Sequence, residues 1–204
     1  MLIEHQGRRP VVHETATIAP NAVLCGDVTI GPHARVLFGA VLTAESGSIE
    51  VGAHSLVMEQ AVVRAARRFP VRIGDHVLIG PHAHLTGCVV EDEVFIATGS
   101  SIFNGAQLQR ASTVRINGIV HINAVLPAGV DMPIGWVAVG DPAQVLPPER
   151  WDAIGPGLGE AGFSNTVFGI ESSKSRGSIM RDLTTRYAAA LASHDDDVLI
   201  SEGG

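Results

Sequence analysis

Aliphatic residues recur every six positions through most of the chain. The stretches IAPNAV, LCGDVT, IGPHAR and VLFGAV follow one another without a break from Ile18 to Val41, and the same pattern returns further along. Six extended residues span about 20 Å at most, which is too short for a strand followed by a helix. Each unit is therefore predicted to form one side of a coil, and three sides close a triangular turn.

The aliphatic positions then fall into three columns, one for each side of the predicted coil. These columns are Ile18, Val36, Val57, Ile79, Ile96 and Val114; Leu24, Leu42, Val63, Leu85, Ile102 and Val120; and Ile30, Val51, Ile73, Val90, Leu108 and Leu126. Small residues such as Ala61 and Ala83 stand four positions later, which suits a narrow interior with turns stacked about 4.8 Å apart. The pattern predicts an all-β fold, a left-handed parallel β-helix, because this hexapeptide spacing is typical of that hand.

The predicted β-helix covers residues 11–146 and contains two interruptions of its register. One is the segment Thr43 to Ser48, and the other is Arg64 to Pro70, which reads RAARRFP. Insertions in a solenoid usually form loops on one face, often the binding face. These two segments are therefore predicted to lie near a binding site.

The remainder of the chain is predicted to form a linker and a helix. Residues 147–177 are rich in glycine and serine, which predicts a linker. An α-helix is predicted over 178–194, with Ser178 as its N-cap, and residues 195–204 are expected to be frayed. The apolar positions that indicate the helix have four-residue spacing: Ile179, Leu183, Tyr187 and Leu191.

Composition and charge narrow the class of protein. The formal net charge of -7 argues against nucleic acid as a partner, because nucleic-acid binding needs a basic surface. No apolar run approaches the roughly 20 residues needed to span a bilayer, and no signal-peptide pattern follows the start MLIEHQGRRP. We therefore expect a cytoplasmic protein without a membrane partner, with Cys25 and Cys88 reduced.

Several motifs resemble those of the γ-class carbonic anhydrases, within the bacterial hexapeptide-repeat transferase superfamily. They are GDVTIGPHARVLFGAVL, MEQAVVR, FPVRIGDHVLIG, LTGC, EDEVFIATGSSIFNGA and VAVGDPAQVL. The resemblance implies a homotrimer of β-helices with a C-terminal helix. It also implies a zinc ion at each subunit interface, held by three histidines, that activates a water for attack on CO2.

At the positions where the resemblance places those histidines, this chain has Arg64, Pro81 and Thr86. None is a zinc ligand, because zinc needs deprotonated nitrogen, sulfur or oxygen donors. The residues that support the site in the family also differ here, and their positions hold Thr43, Glu45, Met58 and Glu59. We therefore predict no metal at these positions, no zinc cofactor and no CO2 hydration.

Other histidines leave alternatives open. His82, His84 and His121 lie near the family position and are either ordinary surface imidazoles or a relocated metal site. His84 and His121, together with Glu45 and Glu59, are the candidate catalytic residues. A second set occupies one corner of successive turns, where stacked imidazoles could take up a metal or form an inert surface: His33, His54 and His76, followed by Glu93.

An arginine cluster borders the position where the resemblance places the zinc ion. It consists of Arg64, Arg67, Arg68 and Arg72. Such a cluster suggests a site for a small anion. The alternative is that these arginines pair with Glu45 and Glu59 or with a neighbouring subunit. The predicted ligand-binding residues are Arg64, Arg67, Arg68, Arg72, Thr86, Pro81 and Thr43.

Three functions follow from these observations. The leading hypothesis is a γ-carbonic-anhydrase-like homotrimer without the zinc triad, which binds a small anion in its intersubunit cleft or serves as a scaffold. The first rival is a CoA-dependent acyltransferase, because GDPA at Gly140 to Ala143 resembles those enzymes and His84 or His121 could act as general base. The second is an active carbonic anhydrase with a relocated metal site.

Overall fold

The structure is a computed structural model that describes residues 1–65, 68–158, 166, 169–170 and 175–200. Within this part of the chain, short parallel strands are stacked in a β-solenoid of about eight turns. No helix in the described ranges is long and apolar enough to cross a membrane.

Most strands have only two or three residues, because the chain turns a corner after each side of the coil. The strands are β1 (Leu2–Glu4), β2 (Val11–Val12), β3 (Thr17–Ile18), β4 (Val23–Ile30), β5 (Arg35–Val36), β6 (Val41–Val51), β7 (Leu56–Val57), β8 (Val62–Ala65), β9 (Val71–Ile73), β10 (Leu78–Ile79), β11 (His84–Thr86), β12 (Val89–Val90), β13 (Phe95–Ile96), β14 (Ser101–Ile102), β15 (Gln107–Leu108), β16 (Thr113–Val114), β17 (Ile119–Val120), β18 (Val125–Leu126), β19 (Asp131–Met132), β20 (Val137–Val139), β21 (Gln144–Leu146) and β22 (Val198–Ile200). The helices are α1 (Trp151–Leu158) and α2 (Arg176–Leu191), and a 3-10 turn spans Ala192–His194.

The strand register confirms the three columns of the sequence analysis. One side of the solenoid is a parallel sheet in the order β19-β16-β13-β10-β7-β5-β3. The other two sides form one continuous sheet, because β4 and β6 run through a corner. Within each column the residues pair directly, as in Leu42 with Val63 and Val63 with Leu85.

The interior is packed as the pattern predicts. Ala61 and Ala83 have no exposed surface, and neither do the large side chains of Leu42, Leu85 and Ile102. Small residues alternate with branched ones in a prism too narrow for aromatic rings, which explains why only 4% of the residues are aromatic.

One corner of the solenoid is built from histidines with left-handed backbone conformation. His33, His54, His76 and then Glu93 have φ between 56° and 63°. The amide of His76 donates to the carbonyl of Ala53, and the amide of Glu93 donates to that of Asp75, each at 2.9 Å. Histidine is among the few residues enriched in this conformation, so the backbone of the corner favours it.

The ends of the chain differ from the predictions. The predicted linker 147–177 contains α1, whose Ile154 packs on Val137 and Val139. Helix α2 begins at Arg176 and not at residue 178, because Ser175 is the N-cap and accepts a hydrogen bond from the amide of Ser178.

Three further segments differ from the predictions, because each contains or continues a strand. The sequence predicts frayed residues at 195–204, but β22 within this range pairs antiparallel with β1, and residues 201–204 lie outside the described residues. Strand β1 precedes residue 11, where the solenoid was predicted to begin, and it pairs in parallel with β4. The segment Thr43 to Ser48 continues β6 around the corner and does not form a loop.

Candidate functional site

Three of the predicted site residues lie side by side on one face of the solenoid. Strands β6, β8 and β11 place Thr43 opposite Arg64 and Arg64 opposite Thr86. The prediction that Arg64 and Thr86 are neighbours is therefore confirmed. Pro81 follows β10 on a different side, so it is separated from them within one chain.

Arg64 forms an ion pair with Glu45. Its Nη2 donates to Oε1 of Glu45, and the two side chains are only 31% and 12% exposed. The ring of Tyr187, on α2, lies 5.8 Å from Cζ of Arg64. Burial by itself would lower the pKa of Arg64, but the hydrogen bond and charge of Glu45 outweigh it, so the pKa is raised. The guanidinium is thus permanently charged and already has an anionic partner.

The three residues that the resemblance assigns to the zinc-ligand positions lack the chemistry of a zinc site. Arg64 has only donor groups, Pro81 has no side-chain donor atom for a metal, and the hydroxyl of Thr86 donates to the carbonyl of Ile102 at 3.3 Å. Zinc needs several deprotonated ligands converging on one point. These three residues therefore do not fit the ion that the family resemblance implies.

His84 and His121 are half-buried on the same face. Burial lowers the pKa of His84, and the charge of Arg64 lowers it further, while burial alone lowers that of His121. His121 Nδ1 is buried and has no hydrogen-bond partner among the described residues. The ring of Phe103 lies 5.9 Å from that of His121, on the turn between it and Thr86. The protonated form of both imidazoles is therefore disfavoured.

These histidines do not converge with His82, which is exposed at a corner. In the described ranges, no group of three or more potential metal-binding atoms includes His82, His84 or His121. Glu59 lies at the corner after β7, and its carbonyl accepts the amide of His82 at 3.0 Å. The geometry gives no support to a relocated metal site on these residues.

The arginine cluster is distributed over several partners. Arg68 donates to the carbonyl of Thr166, and its Cζ lies 5.1 Å from the ring centre of Phe69. Arg72, on β9, lies 4.0 Å from Glu50, and both side chains are exposed. Arg67 lies outside the described residues. Because β8 and β9 pair with opposite ends of β6, Arg64 and Arg72 stand on consecutive sides of the prism.

The corner histidines form a stacked ladder. The rings of His33 and His54 are 4.8 Å apart, and those of His54 and His76 are 4.9 Å apart with an interplanar angle of 3°. A metal site needs donor atoms that converge, and among the described residues these histidines belong to no converging group of three or more potential metal ligands. The ladder is therefore a structural feature of the corner.

The structure brings together a cluster of four potential metal ligands that the sequence does not predict. His5, Cys25, His194 and Asp197 have potential ligand atoms within 4.8 Å of one another. Only the three-residue spacing from His194 to Asp197 is visible as a local signal. The other members are brought together by the pairing of β1 with β4 and β22, which the sequence pattern does not reveal. We refer to these four residues as the terminal cluster.

Comparison with known proteins places the chain in a family. No family model matches it. Gamma carbonic anhydrase 1, mitochondrial, of Arabidopsis thaliana is 32% identical over 145 residues, which are 68% of this chain and 50% of the relative. The chain spans about half the length of the γ carbonic anhydrases that it matches.

The chain is also similar to two other hexapeptide-repeat or related proteins, one by sequence and one by fold. Carnitine operon protein CaiE of Salmonella agona is 30% identical over 141 residues, which are 69% of this chain and 68% of that protein. A hexapeptide transferase family protein from Anaplasma phagocytophilum has the same fold, with a TM-score of 0.53 and 23% identity over 96% of this chain and 98% of that one. Together with the stacked hexapeptide turns, these relatives show that the chain belongs to the γ-carbonic-anhydrase-like family of hexapeptide-repeat proteins.

Proposed function

We propose that this chain is a subunit of a γ-carbonic-anhydrase-like homotrimer that does not hydrate CO2 at a zinc ion and serves as an assembly scaffold. The proposal rests on the family, on the residues at the family's ligand positions and on the apolar surface of the solenoid. A cytoplasmic location stays a prediction from the sequence, and the Arabidopsis relative is named as mitochondrial.

The observation that carries the proposal is the ion pair between Arg64 and Glu45. A guanidinium keeps its charge at any physiological pH, so a zinc ion beside it would be repelled. Glu45 satisfies this charge within the chain, and the pair is largely shielded from water. A charge that already has a largely buried partner is less available to a ligand, which favours the scaffold over the anion site.

Trimer formation is supported by apolar columns on two sides of the solenoid. Leu56, Leu78 and Phe95 are in register on one side, and Phe95 is exposed. Val41 and Val62 are in register on the adjacent side and are half-buried. Contiguous apolar surface of this kind is a common mark of a protein interface, and closed cyclic symmetry would cover it in every subunit.

A second candidate is acyl transfer from CoA, and the state of His84 favours it. A general base must be unprotonated near neutral pH, and both burial and the Arg64 charge lower the pKa of His84. CoA is the cofactor that this alternative requires. Small-anion binding on Arg68 and Arg72 is a third outcome, because both arginines are exposed.

The test combines light scattering, a CO2 hydration assay and a thermal-shift screen on purified full-length protein. We expect the mass of a trimer, hydration no faster than buffer, and no stabilisation by bicarbonate or acetyl-CoA. Stabilisation by acetyl-CoA that is lost in His84→Asn would favour the transferase, and stabilisation by bicarbonate that is lost in Arg68→Gln would favour the anion site.

Zinc-dependent hydration that disappears in Thr86→Val would overturn the proposal, because it would place a working metal at the family position. A monomeric mass would overturn the trimer. The variant Arg110→Gln is a matched control, since Arg110 is an exposed arginine paired with Asp92 and Glu93 on another part of the surface.

A further inference from the structure

The terminal cluster lies where the two ends of the chain meet. Strand β1 lies between β4, to which it is parallel, and β22, to which it is antiparallel. His5 directly follows β1, Cys25 belongs to β4, and Asp197 directly precedes β22. His194 ends the 3-10 turn after α2, and its ring stacks on that of His5 with the ring centres 4.3 Å apart. Four potential ligands from three segments of the chain, around residues 5, 25 and 194–197, thus converge.

The hydrogen bonds of His5 indicate that a proton or a metal ion lies between His5 and Asp197. Its Nε2 lies 2.8 Å from the carbonyl oxygen of Glu45, and a carbonyl can only accept, so Nε2 carries a proton. A neutral His5 then directs the lone pair of Nδ1 at the carboxylate of Asp197, whose Oδ1 is 2.5 Å away. Two acceptors face each other at hydrogen-bond distance, so a proton or a metal ion must lie between them.

The same carboxylate is shared by the other members. Its Oδ2 lies 2.8 Å from Nδ1 of His194 and 3.6 Å from Sγ of Cys25. The side chains of His5, Asp197 and His194 are only 2%, 20% and 27% exposed, and Cys25 is buried. Isolated charges are costly at such depth, whereas a cation bound by four converging donors would be neutralised.

We propose that His5, Cys25, His194 and Asp197 bind one zinc ion as a structural site that joins the two ends of the chain. Two imidazoles, a thiolate and a carboxylate are ligands that zinc accepts, and four protein ligands close the site to substrate. Ligands about 2.1 to 2.3 Å from a tetrahedral zinc are about 3.4 to 3.7 Å apart, so the donor atoms need to move by about 1 Å or less. The hydrogen bond from His5 Nε2 to a carbonyl is the second-shell contact that orients a zinc-bound histidine.

The zinc site would hold the C-terminal strand β22 against the solenoid. In the described part of the chain β22 pairs with β1 alone, over three residues, and so short a pairing is marginal by itself. A metal bond from Asp197 and His194 to the solenoid would hold β22 in place and limit the movement of α2, which carries Tyr187 to Arg64. All four ligands come from one chain, so the site is distinct from the intersubunit position of the family.

The experiment uses tag-free full-length protein, with zinc itself as the probe. After treatment with a chelator and reloading, we expect one zinc per chain to survive gel filtration, and we expect the chelator to lower Tm. Cys25→Ser and His194→Ala should each weaken zinc binding more than about tenfold, since loss of even a second-shell group costs 10- to 100-fold. His82→Asn, at an exposed corner, is the matched control and should keep the full zinc content.

Cobalt(II) keeps the test valid if a variant folds poorly. Cobalt in the wild-type site should show the absorption of a cobalt–thiolate bond, and Cys25→Ser should lose that band even where cobalt still binds. The proposal fails if the wild-type protein binds no zinc at micromolar concentration. It also fails if zinc content is unchanged in Cys25→Ser and His194→Ala but lost in Thr86→Val, a result that would instead contradict the proposed function.

Discussion

The interior of the solenoid gives the sharpest test of its register. Ala83 has no exposed surface, and its carbonyl accepts the amide of Val62 from the turn before. Directly above and below it in the same column are Ala61 and Ser100, which are also fully buried. Turns are stacked only about 4.8 Å apart, so there is no room for a larger side chain.

We expect Ala83→Leu to be clearly destabilising, because it adds three carbon atoms to this packed column. Overpacking of this kind costs about 1 to 3 kcal/mol or more. For a chain of this length each kcal/mol lowers Tm by about 2 to 4 °C, so the expected fall is about 2 to 12 °C. Differential scanning calorimetry on the full-length protein measures it.

The neighbouring residue provides the control. His82 is exposed at a corner with φ of 57°, and asparagine tolerates that conformation well. His82→Asn should therefore change the free energy of unfolding by no more than about 0.5 kcal/mol. If Ala83→Leu melts within about 1 °C of His82→Asn, Ala83 does not point into the prism and the register is wrong.

Two further predictions concern the backbone and the response to pH. Gly52→Ala should destabilise the protein by about 1 kcal/mol or more, because the new Cβ would lie 2.4 Å from the carbonyl oxygen of Gly74. Gly177→Ala on α2 should be neutral or stabilising. Urea unfolding measures both variants, and equal free energies of unfolding would contradict the prediction. The pKa values of His84 and His121 are lowered in the folded protein, so the unfolded chain binds protons more readily at these two residues. The contribution of the two histidines to the free energy of unfolding is therefore present above pH about 6.5. It is lost as the pH falls through the lowered folded-state pKa values. Melting curves should show a smaller acid-side loss of Tm for the variant His84→Asn/His121→Asn, and an unchanged slope would contradict this.

The sequence by itself determined the architecture, since the six-residue period is a property of consecutive residues. Each aliphatic position, such as Leu42, Val63 or Leu85, fills the same place in its own turn, so the pattern contains both the strand and its partner in the next turn. The resemblance located the face that holds Arg64 and Thr86 for the same reason. A repeating fold converts distance along the chain into distance along the axis, which makes contacts between successive turns predictable.

The tertiary structure alone decided the contacts that break this repetition. The ion pair between Arg64 and Glu45 was one of two alternatives at the sequence level, because side chains on adjacent strands can face each other or a ligand. The terminal cluster was not foreseen at all, since His5 and Asp197 are 192 residues apart and meet only when β22 docks on β1. No periodic signal accompanies that docking, because a three-residue strand contributes too little hydrophobic pattern to distinguish it from a frayed end.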